Sequence, residues 1–128
     1  MVISEVLRGQ SRPVPAVAAG GVLGALARWA VGLALPGPPG TFLINVVGCF
    51  AIGVVLTVLI ARGAHPLLRP FLATGVLGGF TTFSTYAVDA QRLLLEGRIG
   101  LGAAYLVGTL AAALVATWAG MWAGRWFH

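Results

Sequence analysis

Four long runs of this chain are almost free of charge: residues 14–35 contain one charged side chain, Arg28, and residues 41–61, 70–88 and 99–123 contain none. As helices rising about 1.5 Å per residue, runs of this length measure roughly 28 to 38 Å, against a hydrocarbon core of about 30 Å. Each is long enough to cross a bilayer. Together they occupy most of the 128 residues, leaving two tails, three short connections and no room for a soluble domain. Composition agrees: 59% of residues are hydrophobic and 9% charged, whereas a soluble domain has about 25% charged residues. The expected class is an all-α integral membrane protein, one domain over residues 1–128 with four transmembrane helices.

The charge balance is basic, with a net charge of +5 and a pI of about 11.2, and every lysine-or-arginine position is arginine. These arginines are scattered among apolar runs instead of lining one solvated face, which argues against a nucleic-acid partner. Arg8 and Arg12 ahead of an apolar run resemble the start of a signal peptide. That run, however, exceeds the about 7 to 15 residues of such a segment and leads into three further spans, so it reads as a retained first helix. Cys49, the single cysteine, falls inside the second span and reads as a small packing residue.

Residues 36–40, Pro-Gly-Pro-Pro-Gly, form a short turn that makes the first two helices antiparallel neighbours. Residues 62–69 and 89–98 form the other two turns, with the third helix continuing briefly before Gly97 stops it. Alternating spans then place Arg8, Arg12, Arg62, Arg69 and Arg125 on one side, and Arg92 and Arg98 on the other, joined there by Arg28 if it snorkels. The bias favours both termini in the cytoplasm.

Hydrocarbon penalises polar groups, so the polar side chains inside the spans carry the functional signal. Gly20, Gly24 and Arg28 recur at i, i+4, i+8, combining a close-packing face with a cation. Arg28 reads either as an interface anchor or as an anion-attracting charge at a pore mouth. Thr41, Asn45 and Gly48 align on the second span, where Asn45 makes an interhelical hydrogen bond or faces water. Tyr105 and Thr109 repeat the pattern on the fourth span, and each of these groups can donate a hydrogen bond. Trp118, Trp122 and Trp126 form a stripe that reads as an interfacial aromatic belt. Residues 75–85 place Gly75, Gly78, Gly79, Phe80, Phe83 and four hydroxyl residues in the middle of the third span, a composition poor for a continuous helix. A break here frees backbone carbonyls, which suit a hard cation. At helical spacing Phe80 and Phe83 share a face, where ring edges, the positive rim of the quadrupole, can meet an anion. With no Asp or Glu inside a span and Asp89 at the end of the third, donors outnumber acids, and the chain reads as a small anion-conducting protein.

Three segments carry a family resemblance: Gly20-Gly-x-x-Gly-Ala-x-x-Arg28-Trp, Gly40-Thr-Phe-x-x-Asn45-x-x-Gly-x-Phe50, and Gly75-x-x-Gly-Gly-Phe-Thr-Thr-Phe-Ser-Thr85. In this order they resemble the signature segments of the Fluc (CrcB) fluoride channels, and the likeness covers all four spans. The resemblance implies a passive, fluoride-selective channel of the cell (plasma or inner) membrane, not an enzyme, that lowers cytoplasmic fluoride. It further implies an antiparallel dimer, of identical or sister chains, with two pores and a structural sodium ion at its centre. By position, the carbonyls of Gly75 and Gly78 match those that hold sodium, and Phe80 and Phe83 the rings that meet fluoride. Asn45 matches the pore asparagine, Arg28 the vestibule arginine, and Thr41, Tyr105 and Thr109 a polar track; Gly20, Gly24, Gly48 and Gly79 are packing positions. Ala113 stands where the track often has another hydroxyl, and Asp89 where the family usually has Glu. The absence of an internal inverted repeat agrees with symmetry supplied by two oppositely inserted chains. The rival readings are a small four-span multidrug exporter, whose chemistry needs an embedded acid in the first span, where this chain has Arg28, and a structural subunit of a membrane complex.

Overall fold

The computed structural model describes residues 2–126, which form helices and no strand. A short α1 (Val2–Ser11) precedes α2 (Val14–Ala34) and α3 (Pro38–Arg62). The third span begins as a wide π-helical segment (Pro70–Leu77), tightens into one turn, α4 (Gly78–Phe80), breaks, and resumes as α5 (Ser84–Leu95); α6 (Ile99–Gly124) closes the bundle. Four candidate membrane spans result, Val14–Ala34, Pro38–Arg62, Pro70–Leu95 and Ile99–Gly124.

Two boundaries differ from the sequence expectation by more than one residue. α3 starts at Pro38, inside the expected 36–40 turn, because a proline in the first turn has the right φ and an N–H that would find no helical partner anyway. The third span runs on to Leu95, so Asp89 lies within it and not at its end. Each reversal uses a glycine with positive φ: Gly37 at 80°, Gly63 at 58° and Gly97 at 79°.

The spans alternate in direction and pair through small residues. A Cβ at Gly20 would strike Phe71 and Val76, and one at Gly24 would strike Val76 and Phe80, so α2 runs parallel to the start of the third span in backbone contact. Gly53 and Gly120 bring α3 and α6 together in the same way. Such approach gains dispersion contacts that lipid cannot supply equally to separated helices. The interior is correspondingly polar: Thr41, Asn45, Thr82, Asp89 and Thr109 are buried, while the buried apolar set is small, with Ile44, Ala90, Leu93 and Ala116. Large apolar groups point outward instead, and Val107, Leu110, Leu114 and Trp118 form an exposed stripe along α6. Trp122 and Trp126 stack edge-on at 5.9 Å near its end.

Candidate functional site: a polar seam at the broken helix

The break lies at Thr81–Phe83, one turn beyond the glycines expected to cause it. Thr81 is extended at φ −75°, ψ 156°. The chain leaves the helical path because its backbone has better partners elsewhere. Asn45 pairs with both sides of Thr82: its Nδ2 donates to the Thr82 carbonyl at 2.9 Å, and its Oδ1 accepts the Thr82 N–H at 2.8 Å. Arg28 Nη1 donates to the Thr81 carbonyl at 3.2 Å. Within the segment, Thr81 Oγ1 donates to the Leu77 carbonyl at 3.0 Å, and Thr82 Oγ1 accepts the Thr85 N–H at 3.1 Å, which starts α5. The Thr81 and Thr82 carbonyls at the break are thus capped from α2 and α3, as an apolar surrounding requires.

Gly75 and Gly78 sit before the break, in continuous helix. The Gly78 N–H reaches the carbonyls of Ala73 and Gly75, so the Gly75 oxygen already accepts one hydrogen bond. The Gly78 carbonyl is released, because the Thr82 N–H that would meet it in a helix is held by Asn45. Within one chain the glycine pair therefore offers one freed carbonyl oxygen and one that already holds a hydrogen bond. The hard-oxygen chemistry fits a cation.

Phe80 and Phe83 do not share a helix face, since the extended Thr81 intervenes and cancels the three-residue spacing. Phe80 is half-buried with its ring beside Gly48, whereas Phe83 is 79% exposed. The Phe83 ring meets Tyr86 at 5.8 Å, edge-on, and Tyr86 meets Tyr105 at 5.4 Å, so an aromatic file leads from the break to α6. Ser84 and Thr85 are exposed beside it.

The expected hydroxyl track converges on a residue the sequence reading treated only as a departure. Asp89 is 7% exposed, accepts a hydrogen bond from Thr41 Oγ1 at 2.8 Å and receives the Tyr105 hydroxyl at 3.4 Å. This corrects the view that no acid lies inside a span. A signal was available, because Thr82, Thr85 and Asp89 follow at i, i+3, i+7 and share a face if the helix continues. Tyr86, whose hydroxyl donates to the Leu106 carbonyl, was likewise missed. Thr109 differs from its neighbours: it is 3% exposed and its Oγ1 has no hydrogen-bond partner among the described residues. Two clefts meet at Asp89. One of about 400 Å³ is lined by Arg28, Thr41, Thr82 and Thr85, and one of about 810 Å³ by Tyr105 and Thr109 with Arg92, Glu96 and Arg98 at its mouth. Among the described residues no cluster of three His, Cys, Asp or Glu side chains could hold a metal ion.

A four-span bundle with a buried polar seam at a broken helix defines a small multi-pass membrane protein. The chain belongs to the CrcB family: residues 15–121 match CrcB-like protein, Camphor Resistance (CrcB). It is 53% identical over 115 residues to the fluoride-specific ion channel FluC 1 of Streptomyces coelicolor, covering 85% of this chain and 75% of that one. The fluoride-specific ion channel FluC 2 of Nocardia farcinica is 50% identical over 106 residues, covering 77% and 75%. The fluoride-specific ion channel FluC of Paracoccus denitrificans is 44% identical over 105 residues, covering 78% and 84%.

Proposed function

We propose that this protein is a fluoride-selective channel, not an enzyme, that lets fluoride leave the cytoplasm passively. The observation that carries the reading is the match over residues 15–121, which takes in nearly all of the four spans, with 53% identity to a fluoride-specific channel. Fluoride is small and holds its water strongly, so a pore must replace that water with close donors. Arg28 supplies a charge in the wall of the smaller cleft, which Thr41 and Thr82 also line, Asn45 holds the Thr82 backbone in place, and Tyr105 and Thr109 line the larger cleft. The unpartnered Thr109 hydroxyl supports this reading, because a buried donor without a partner costs about 1 to 3 kcal/mol unless something accepts from it. Phe80 and the exposed Phe83 supply ring edges to the ion once a second chain covers the face at the break.

The working unit in this proposal is an antiparallel pair, of two identical chains or of sister chains. Its support is the exposed face at the break, where Phe83 stands beside Ser84 and Thr85, a composition poorly suited to lipid. A structural sodium ion fits the same proposal, held by the Gly75 and Gly78 carbonyls of each chain. It would satisfy the released Gly78 oxygen and offset the cost of bringing an anion into low dielectric.

The test is fluoride efflux from liposomes containing the purified protein, followed with a fluoride electrode and with chloride as control. Fluoride release without chloride release is expected. Failure to release fluoride, or equal release of chloride, refutes the proposal. The buried Asp89 lies in the third span and not in the first, where an exporter of organic cations needs its acid, and uptake of a cationic dye driven by a proton gradient would support that rival reading instead.

A further inference from the structure

The family match begins at residue 15, so α1 is an addition to the four-span unit. Only Arg12 and Pro13 separate α1 from α2, which ties it to the membrane boundary where the first span starts. Among the described residues, α1 contacts only α2. Ten residues at about 1.5 Å each make a rod of roughly 15 Å. Its register is amphipathic: Val2 and Ile3 share one arc of the helix, and Ser4, Glu5, Arg8 and Ser11 occupy the other. Val2 and Ile3 are each 74% exposed, an apolar face without a protein partner.

Charge singles out what covers that face. The directions of the spans put the start of α2, the end of α3, the start of the third span and the end of α6 at one end of the bundle, and Ala16 lines one shallow pocket there with His65 and Phe71. Arg8, Arg12, Arg69 and Arg125 are all exposed at this end. Glu5 is the one acid on α1. A helix held at the interface, apolar on one arc and ringed by guanidinium groups, complements acyl chains beneath and anionic headgroups around it.

We propose that α1 is a surface helix that lies on the bilayer its own spans cross and binds that bilayer's anionic headgroup layer, with Val2 and Ile3 inserted and Arg8 and Arg12 among the headgroups. The inference does not rest on fluoride conduction and stands or falls separately from it.

The experiment uses the full chain, with Cys49→Ala, carrying an environment-sensitive fluorophore on Ile3→Cys or on Glu5→Cys, in vesicles of zwitterionic lipid with and without anionic phosphatidylglycerol. With anionic lipid, a label at position 3 is expected to be quenched by lipid-borne quencher and shielded from aqueous iodide, while a label at position 5 stays open to iodide. Arg8→Gln with Arg12→Gln should lower the docked-to-free ratio about 25-fold, at roughly five-fold per arginine. Iodide access at position 3 equal to that at position 5 in every vesicle overturns the proposal. So does shielding that is the same in zwitterionic vesicles and indifferent to the double substitution, because headgroup charge is then not the ligand. Shielding that grows with protein density at fixed lipid composition also overturns it, by identifying a second copy as the occupant.

Discussion

Asn45→Leu isolates the role of the clamp at the break. The substitution keeps roughly the same volume and removes both hydrogen bonds to Thr82, at 2.9 and 2.8 Å. If Thr82 stays where it is, its N–H and carbonyl are both buried without partners, at about 1 to 3 kcal/mol each, or about 2 to 6 kcal/mol together. A second outcome limits the loss. The freed Thr82 N–H can turn back to the Gly78 carbonyl, healing the third span toward continuous helix and leaving one group unpaired. The expected loss of stability is therefore about 2 kcal/mol if the break heals and more if it does not. Asn45→Asp separates the two bonds, since its carboxylate still accepts the Thr82 N–H but offers no donor to the carbonyl. Unfolding in mixed detergent measures the stability, and hydrogen exchange at Thr82 reports whether the break has healed. Fluoride efflux from liposomes should fall for Asn45→Leu in either case, because the geometry of the seam depends on an extended Thr81. An Asn45→Leu protein within about 0.5 kcal/mol of the parent, with unchanged efflux, would falsify the assignment of Asn45 as the clamp.

Other substitutions separate folding from conduction. Thr109→Val removes a hydroxyl that makes no hydrogen bond, so unfolding should be unchanged or slightly harder while fluoride efflux drops several-fold; a stability loss above about 1 kcal/mol would contradict the geometry. Gly24→Ala puts a methyl into the Val76 carbonyl and should cost at least about 2 kcal/mol, whereas Gly21→Ala, with open space around it, should be neutral or gain up to about 1 kcal/mol of helix propensity; unfolding of the two variants side by side checks this. Asp89→Leu leaves the Thr41 and Tyr105 hydroxyls without their shared acceptor and should destabilise by about 1 to 3 kcal/mol, while Asp89→Asn keeps an acceptor and should lose less in the same assay. Replacing sodium with a large organic cation during purification should lower the unfolding temperature of the paired chains if the Gly78 carbonyls share a cation, and leave it unchanged otherwise.

The sequence made some features of this protein legible and hid others for one physical reason. Uncharged runs reveal spans because the bilayer core acts on every residue of a run alike, and the expected segment 99–123 differs from the observed Ile99–Gly124 by a single residue. The polar positions Arg28, Thr41, Asn45, Tyr105 and Thr109 were legible for the same reason, as each stands out against hydrocarbon. What they touch was not. Periodicity assumes a continuous helix, and the third span is broken by a contact from another helix: Asn45 holds the backbone of a residue 37 positions away. No local rule places that break at Thr81 instead of Gly78, because the glycines only make a break affordable and the clamp decides where it falls. The same long-range choice moves Phe83 off the face of Phe80 and brings Asp89 under Thr41, 48 positions away in the chain. Local composition thus marks where a membrane helix tolerates disruption, while pairing between spans chooses among the tolerated sites. On this argument the clamp, more than the glycines, controls the position of the break: moving the carboxamide one helical turn, with Asn45→Leu and Cys49→Asn together, should move the break while leaving every glycine in place.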